Sequence, residues 1–140
     1  MKIGFICGAF DLLHPGHVLH IQTVRKQCDY LKVGLHTNPQ LERPTSKNAP
    51  TQTIFERWTQ LRGVEGVDEI IPYDTERDLC NLLATEDIQV RFLGEEHRHT
   101  TITADSICRR RGIAVVFIPR LHDFSSTELR KRLVKKRKTS

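Results

Sequence analysis

The chain has 140 residues, 38% of them hydrophobic and 28% charged, and a formal net charge of +5. That length fits one compact domain with a usable core, and that balance excludes a disordered chain. No apolar run approaches the roughly 18–20 residues that a membrane-spanning helix needs. The first residues, Met1-Lys2-Ile3-Gly4-Phe5, enter a strand pattern at once. No charged stretch with an apolar core and cleavage site stands before it, so a cytoplasmic location is expected. Much of the positive charge lies in residues 130–138. It reads as a solvated helix face and then a frayed basic tail over 135–140, so a nucleic-acid partner is not called for. Cys7, Cys28, Cys80 and Cys108 show no C-x-x-C spacing, which argues for reduced thiols and against a zinc site.

Apolar periodicity then orders the chain. Residues 3–7 read as a strand, 18–27 as a helix and 30–36 as a second strand. Residues 38–50 are polar, hold three prolines and form a loop. Residues 51–62 have helical spacing, with Ile54, Trp58 and Leu61 on one face. A short strand over 68–72 is ended by Pro72. A helix over 76–85 and a strand over 88–93 follow. Residues 101–111 form a helix that Gly112 ends. Residues 113–118 are the most hydrophobic strand, which predicts a central position. A last helix starts at Ser125 or Ser126 and runs to about residue 136. The alternation predicts a single-domain α/β fold over residues 1–134. Its core is a doubly wound parallel sheet of about five strands with helices on both faces.

The run Gly8-Ala9-Phe10-Asp11-Leu12-Leu13-His14-Pro15-Gly16-His17 joins the first strand to the first helix. A glycine-bearing turn there exposes backbone N–H groups, and the helix start adds a positive dipole. Gly16 lets a ligand approach the backbone, and Pro15 stiffens the turn. His14 and His17, three residues apart, stand on one side of the helix entrance and suit phosphate oxygens. Ligands of such sheets bind beyond the carboxyl ends of the strands, where strand order reverses.

This run resembles the HxGH signature of the nucleotidyltransferase superfamily, nearest the glycerol-3-phosphate cytidylyltransferase-like branch, with Ala9 where Thr is usual. The resemblance implies a Rossmann-like fold and nucleotide contacts from Gly8, Ala9, Phe10, Asp11 and Gly16. His14 and His17 would act on the transferred phosphate. Arg120-Leu121-His122-Asp123-Phe124-Ser125-Ser126-Thr127 resembles the superfamily's second signature, with Leu121, Asp123 and Phe124 departing from it. On that match Arg120 serves catalysis, and Ser125, Ser126 and Thr127 hold the triphosphate. Lys47 takes the place of the family's loop lysine. Glu56-Arg57 matches an E-R pair, which makes Arg57 an acceptor-binding candidate. Gly94 and Glu95 match a turn that helps read the base. Val67-Asp68-Glu69-Ile70-Ile71-Pro72 matches a cytidylyltransferase stretch, though Glu65-Gly66 precede it where Arg-Tyr is usual.

The resemblance therefore implies a nucleotidyltransferase. A phosphorylated small-molecule acceptor attacks the α-phosphorus of a nucleoside triphosphate, and pyrophosphate leaves. CTP is the favoured donor and CMP the favoured transferred group. ATP is the alternative, as in relatives that adenylylate heptose phosphates or flavin mononucleotide. Mg²⁺ would travel with the triphosphate, held mostly by phosphates and water, with no protein metal site; Asp11 would help orient nucleotide or metal. A homodimer is an assembly to be considered. The rival reading, motivated by the basic tail, is a non-catalytic nucleotide- or nucleic-acid-binding regulatory module.

Overall fold

The computed structural model describes residues 1–120 and 125–139. The elements run β1 (Ile3–Gly8), α1 (Pro15–Arg25), β2 (Tyr30–His36), α2 (Ile54–Arg62), β3 (Glu69–Tyr73), α3 (Glu76–Thr85), β4 (Val90–Gly94), α4 (Asp105–Arg111), β5 (Ala114–Ile118) and α5 (Ser126–Thr139). Single 3-10 turns at Pro39–Leu41 and Glu95–His97 sit in the loops after β2 and β4. The five strands form one parallel sheet in the order β3-β2-β1-β4-β5. The fold is Rossmann-like, and strand order reverses between β1 and β4.

Side-chain alternation along the strands builds two cores. Ile6, Leu31, Val33, Leu35, Val90 and Phe92 pack with Ile21 and Val24 of α1 and Leu61 of α2. Phe5, on the other face, packs with Leu79, Leu82 and Leu83 of α3 and Cys108 of α4. Gly34 of β2 is required by this packing: a Cβ there would lie 2.9 Å from Phe5 Cζ. Cys28 and Cys108 are buried, and all four thiols are unbridged. No helix among the described residues is long and apolar enough to cross a membrane.

Four local expectations change. The β5 strand is an edge strand rather than the centre, which β1 occupies. Its apolar run reflects cover on both faces, because Val116 packs on the first core and Val115 on the second. Pro72 lies inside β3 without ending it, since β3 is an edge strand and needs fewer ladder donors. The helix expected from residue 101 begins at Asp105, because Ala104 turns left-handed with φ 66° and breaks the pattern; Gly112, at φ 70°, closes it as expected. The α5 helix continues through Thr139, past the expected tail boundary, with Lys135, Lys136 and Arg137 exposed along it.

Candidate active site

The loop after β1 is held in an unusual shape. Phe10 and Leu12 adopt left-handed φ values of 50° and 51°, which cost non-glycine residues about 1–2 kcal/mol each. Four hydrogen bonds hold the loop there. The Leu12 amide donates to Gln52 Oε1 at 2.7 Å. Asp11 accepts from the Thr51 and Gln52 amides at 2.8 and 2.9 Å, and from Arg130 Nη2 at 2.6 Å. Burial pushes the Asp11 carboxyl upward. The two amides, with Arg130 and Arg57 nearby, outweigh that and hold it below its ordinary 3.8. The Asp11 carboxylate thus latches α5 to the segment before α2, and Asp11 also borders the cavity that Lys47 and Arg43 line.

Arg57 is engaged in the same way. It is 2% exposed and donates to the carbonyls of Gln52, Ala9, His36 and Thr37 at 2.6–3.2 Å. These bonds tie the ends of β1 and β2 to the start of α2. A guanidinium spent on four backbone carbonyls is a structural clamp rather than an acceptor-binding group. Its neighbour Glu56 is likewise engaged, in a capping box with Thr53.

His14 and His17 form a reciprocal cap on α1. The His14 Nδ1 accepts the Gly16 amide at 3.0 Å, and His17 Nδ1 accepts the His14 amide at 3.1 Å. The rings lie 3.9 Å apart between centroids. Accepting through Nδ1 puts the proton of each neutral imidazole on Nε2. The pair also changes how the helix start meets an anion. Pro15 has no N–H, Gly16 gives its own to His14, and the His17 amide returns to the His14 carbonyl at 3.0 Å. The Gly16 amide is thus spent inside the cap, while Gly16 and both imidazoles border a cavity at the helix entrance.

Two cavities open beyond the carboxyl ends of the strands. One, of about 550 Å³, lies between α1, the β4 end and the start of α5. It brings together Gly8, Ala9, Phe10, Gly16, His14 and His17 with Gly94, Arg120 and Ser125. The Ser125 hydroxyl accepts the Glu128 amide at 3.0 Å and so caps α5. The other, of about 590 Å³, lies over the ends of β1 to β4 and is bordered by the 39–50 loop. It holds Lys47 and Arg43, and also Thr127 and Arg130 of α5. Thr127 thus faces the second cavity instead of the first. His17 lines both cavities.

Glu95 turns away to pair with Arg98, at 2.9 Å between Oε2 and Nη2, and Glu96 takes its place on the first cavity. Leu121, Asp123 and Phe124 lie outside the described residues, as does the side chain of Ser126. Asp68 and Glu69, from the cytidylyltransferase-like stretch, sit at the opposite end of the sheet. There Asp68 holds the Leu31 amide at 2.8 Å and Arg25 at 3.0 Å, and Glu69 accepts the Tyr30 hydroxyl. The Asp68 and Glu69 side chains of that stretch thus serve the start of β2 and β3.

Sequence reasoning missed the floor of the second cavity. Arg91, His36, Tyr73 and Cys7 line it. Cys7, expected as plain core, borders both cavities. His36 stacks on Tyr73 with centroids 4.6 Å apart and donates Nε2–H to the Asp74 carbonyl at 3.2 Å. Burial lowers the His36 imidazole below its usual 6.5, against the Asp74 carbonyl and the nearby Glu76 and Glu42 carboxylates. His97 borders both cavities as well. The one available signal was Arg91 itself, a charge inside an otherwise apolar strand.

Known proteins share this chain's pattern. Residues 5–132 match the family described as cytidylyltransferase-like. The bifunctional protein HldE of Hyphomonas neptunium is 32% identical over 129 residues, which is 92% of this chain and 26% of that protein. The HldE of Nitrobacter winogradskyi is 33% identical over 132 residues, 94% of this chain and 27% of that protein. The chain therefore spans about a quarter of the length of these relatives. Two solved structures share the fold. A lipopolysaccharide core biosynthesis protein from Thermoplasma volcanium gives a TM-score of 0.68 at 20% identity, covering 89% of this chain and 99% of that one. Pantothenate synthetase from Thermus thermophilus gives 0.64 at 17% identity, covering 94% of this chain and 64% of that one. The match across residues 5–132, with an intact pair of histidines at the mouth of the reversed sheet, makes the chain a member of the cytidylyltransferase-like family of nucleotidyltransferases.

Proposed function

We propose that the protein transfers an adenylyl group from ATP to the phosphate of a sugar phosphate, releasing pyrophosphate. The observation that carries this reading is the position of His17, which borders both cavities. The cavity by Gly94, Arg120 and Ser125 would take the nucleotide, and the cavity by Lys47 and Arg43 would take the acceptor. The acceptor oxygen then meets the α-phosphorus in front of the two imidazoles. The Nε2–H groups of His14 and His17 donate to oxygens whose charge grows in the transition state, which is worth about a hundredfold or more in rate. Arg120 faces the leaving pyrophosphate, and Lys47 neutralises the incoming phosphate. No covalent intermediate is required, since the acceptor phosphate is already a nucleophile.

ATP replaces CTP as the favoured donor. The likeness to the HldE proteins supports the adenylyl alternative, as in family members that adenylylate heptose phosphates, and a sugar-phosphate acceptor. Of the two stretches that favoured CTP, residues 8–17 and 67–72, the second has Asp68 and Glu69 engaged in strand-start contacts at the far end of the sheet. Mg²⁺ would arrive on the triphosphate and supply charge neutralisation. Among the described residues no group of three His, Cys, Asp or Glu side chains is placed to hold a metal. Phosphates and water would do most of that work, with Glu96 as the carboxylate bordering the nucleotide cavity.

Pyrophosphate release with ATP, CTP, GTP and UTP against a panel of sugar 1-phosphates tests the reading. It expects kcat/KM for ATP to exceed that for CTP by about tenfold or more. A preference for CTP would reverse the donor. Binding of ATP without pyrophosphate release from any acceptor would favour the regulatory module.

A further inference from the structure

Among the described residues, two buried side-chain atoms have no hydrogen-bond partner, Arg91 Nε and Glu76 Oε2. Both residues line the same cavity, the one assigned above to the acceptor. Buried polar atoms are nearly always paired, so two unmet atoms of opposite character on one cavity wall mark where a ligand completes them. The contrast between the two buried arginines is informative. Arg57 and Arg91 are 2% and 3% exposed. Arg57 gives four hydrogen bonds to carbonyls and has the Asp11 charge nearby. Arg91 gives one, from Nη1 to the Thr103 carbonyl. Among the described residues its Nη2 meets only the Cys7 sulfur, at 4.0 Å, which is a weak acceptor. Its flanking strand residues Val90 and Phe92 are buried apolar side chains. A guanidinium buried without a counter-charge is costly, and an apolar residue would serve that strand position at no such cost.

Glu76 is different in character. Its Oε1 pairs with Arg43, and Glu42 Oε1 holds its backbone amide at 2.8 Å. The Arg43 pairing already balances the Glu76 charge, so the remaining oxygen suits a hydroxyl better than a second cation.

We propose that Arg91 binds an oxyanion at the end of the acceptor remote from the reacting phosphate, with Glu76 Oε2 accepting from a neighbouring hydroxyl of the same molecule. The acceptor class is then a hydroxylated phosphate monoester that carries a second anionic group, a carboxylate or a second phosphate. This rests on the reading that the cavity takes the acceptor.

The test uses the full chain and has two arms. The first compares kcat/KM with ATP for a hexose 1-phosphate, the matching hexuronic acid 1-phosphate and the matching 1,6-bisphosphate. At least one acceptor with a second anionic group is favoured by about 10- to 100-fold over the hexose 1-phosphate. The carboxylate and phosphate members decide which oxyanion the site takes. In R91M the ratio collapses to within about twofold, while R91K, which keeps the charge without the planar fork, retains part of it. The second arm needs no turnover. The Arg91 Nε–H resonance is followed by NMR while inorganic phosphate or acetate is titrated in, and it shifts saturably with the preferred anion. If no acceptor is turned over but the resonance shifts, the transfer reading falls and the Arg91 site stands. If acceptors are turned over with a ratio near one, or the resonance does not move, the Arg91 site is overturned.

Discussion

Arg130 of α5 donates to Asp11 Oδ2 at 2.6 Å, which ties the last helix to the loop that ends β1. Asp11 in turn holds the Thr51 and Gln52 amides. One carboxylate therefore fixes three segments around the site: the loop, the entry to α2 and the helix that carries Thr127. Asp11→Ala leaves two amides and a guanidinium without their acceptor, so it should cost about 2 kcal/mol or more. Arg130→Ala should cost less, about 1 kcal/mol or below, because Arg130 is about one third exposed and water screens the pair. Urea unfolding of both variants measures this. Unchanged stability in Asp11→Ala, with only a raised KM for ATP, would return Asp11 to the nucleotide.

Arg57→Met removes donors from the Ala9, Gln52, His36 and Thr37 carbonyls. The expected loss is about 2–4 kcal/mol of stability. Denaturant midpoints check the loss, and kinetics on the folded fraction check its consequence. A normally stable variant whose only defect is a higher acceptor KM would contradict the clamp.

His36 gives the pH dependence. Burial holds its imidazole below the usual 6.5 in the folded chain. The unfolded chain therefore binds more protons as pH falls through that value, and stability should decline below about pH 6.5 and level off once the folded form also protonates. His36→Asn should flatten the slope of Tm against pH between about 7 and 5. An equal slope in both proteins would assign the effect elsewhere. Asp11 acts in a separate window: its stabilising contribution is lost only as pH falls below its ordinary 3.8.

Strand periodicity and the run from Gly8 to His17 carried most of the fold and the centre of the site. β2 and α3 fall on their predicted residues, and His14 and His17 meet at the reversed sheet. What the sequence concealed has physical causes. Arg57 sits in a polar helix start, and only tertiary packing brings four carbonyls around it. Apolar content says how many faces of β5 are covered and not how many neighbours the strand has. Glu95 and Glu96 are adjacent and chemically alike, and only the pairing of Glu95 with Arg98 tells them apart. The left-handed turn at Ala104 has no signature, since alanine gives no hint of it. Asp68 and Glu69 resemble a family stretch, yet their side chains serve strand-start contacts at the remote end of the sheet, which only the tertiary fold reveals.

The central claim is that imidazole Nε2–H groups stabilise the transferred phosphate at the junction of the two cavities. His17→Asn tests it most directly, because an amide oxygen can still cap the His14 amide while the Nε2–H is lost. Steady-state pyrophosphate release, with circular dichroism to verify the fold, should show kcat reduced by about a hundredfold or more and the KM for ATP changed by no more than about threefold. A folded His17→Asn protein with near-normal kcat would contradict the account, as would one in which only the KM for ATP rises.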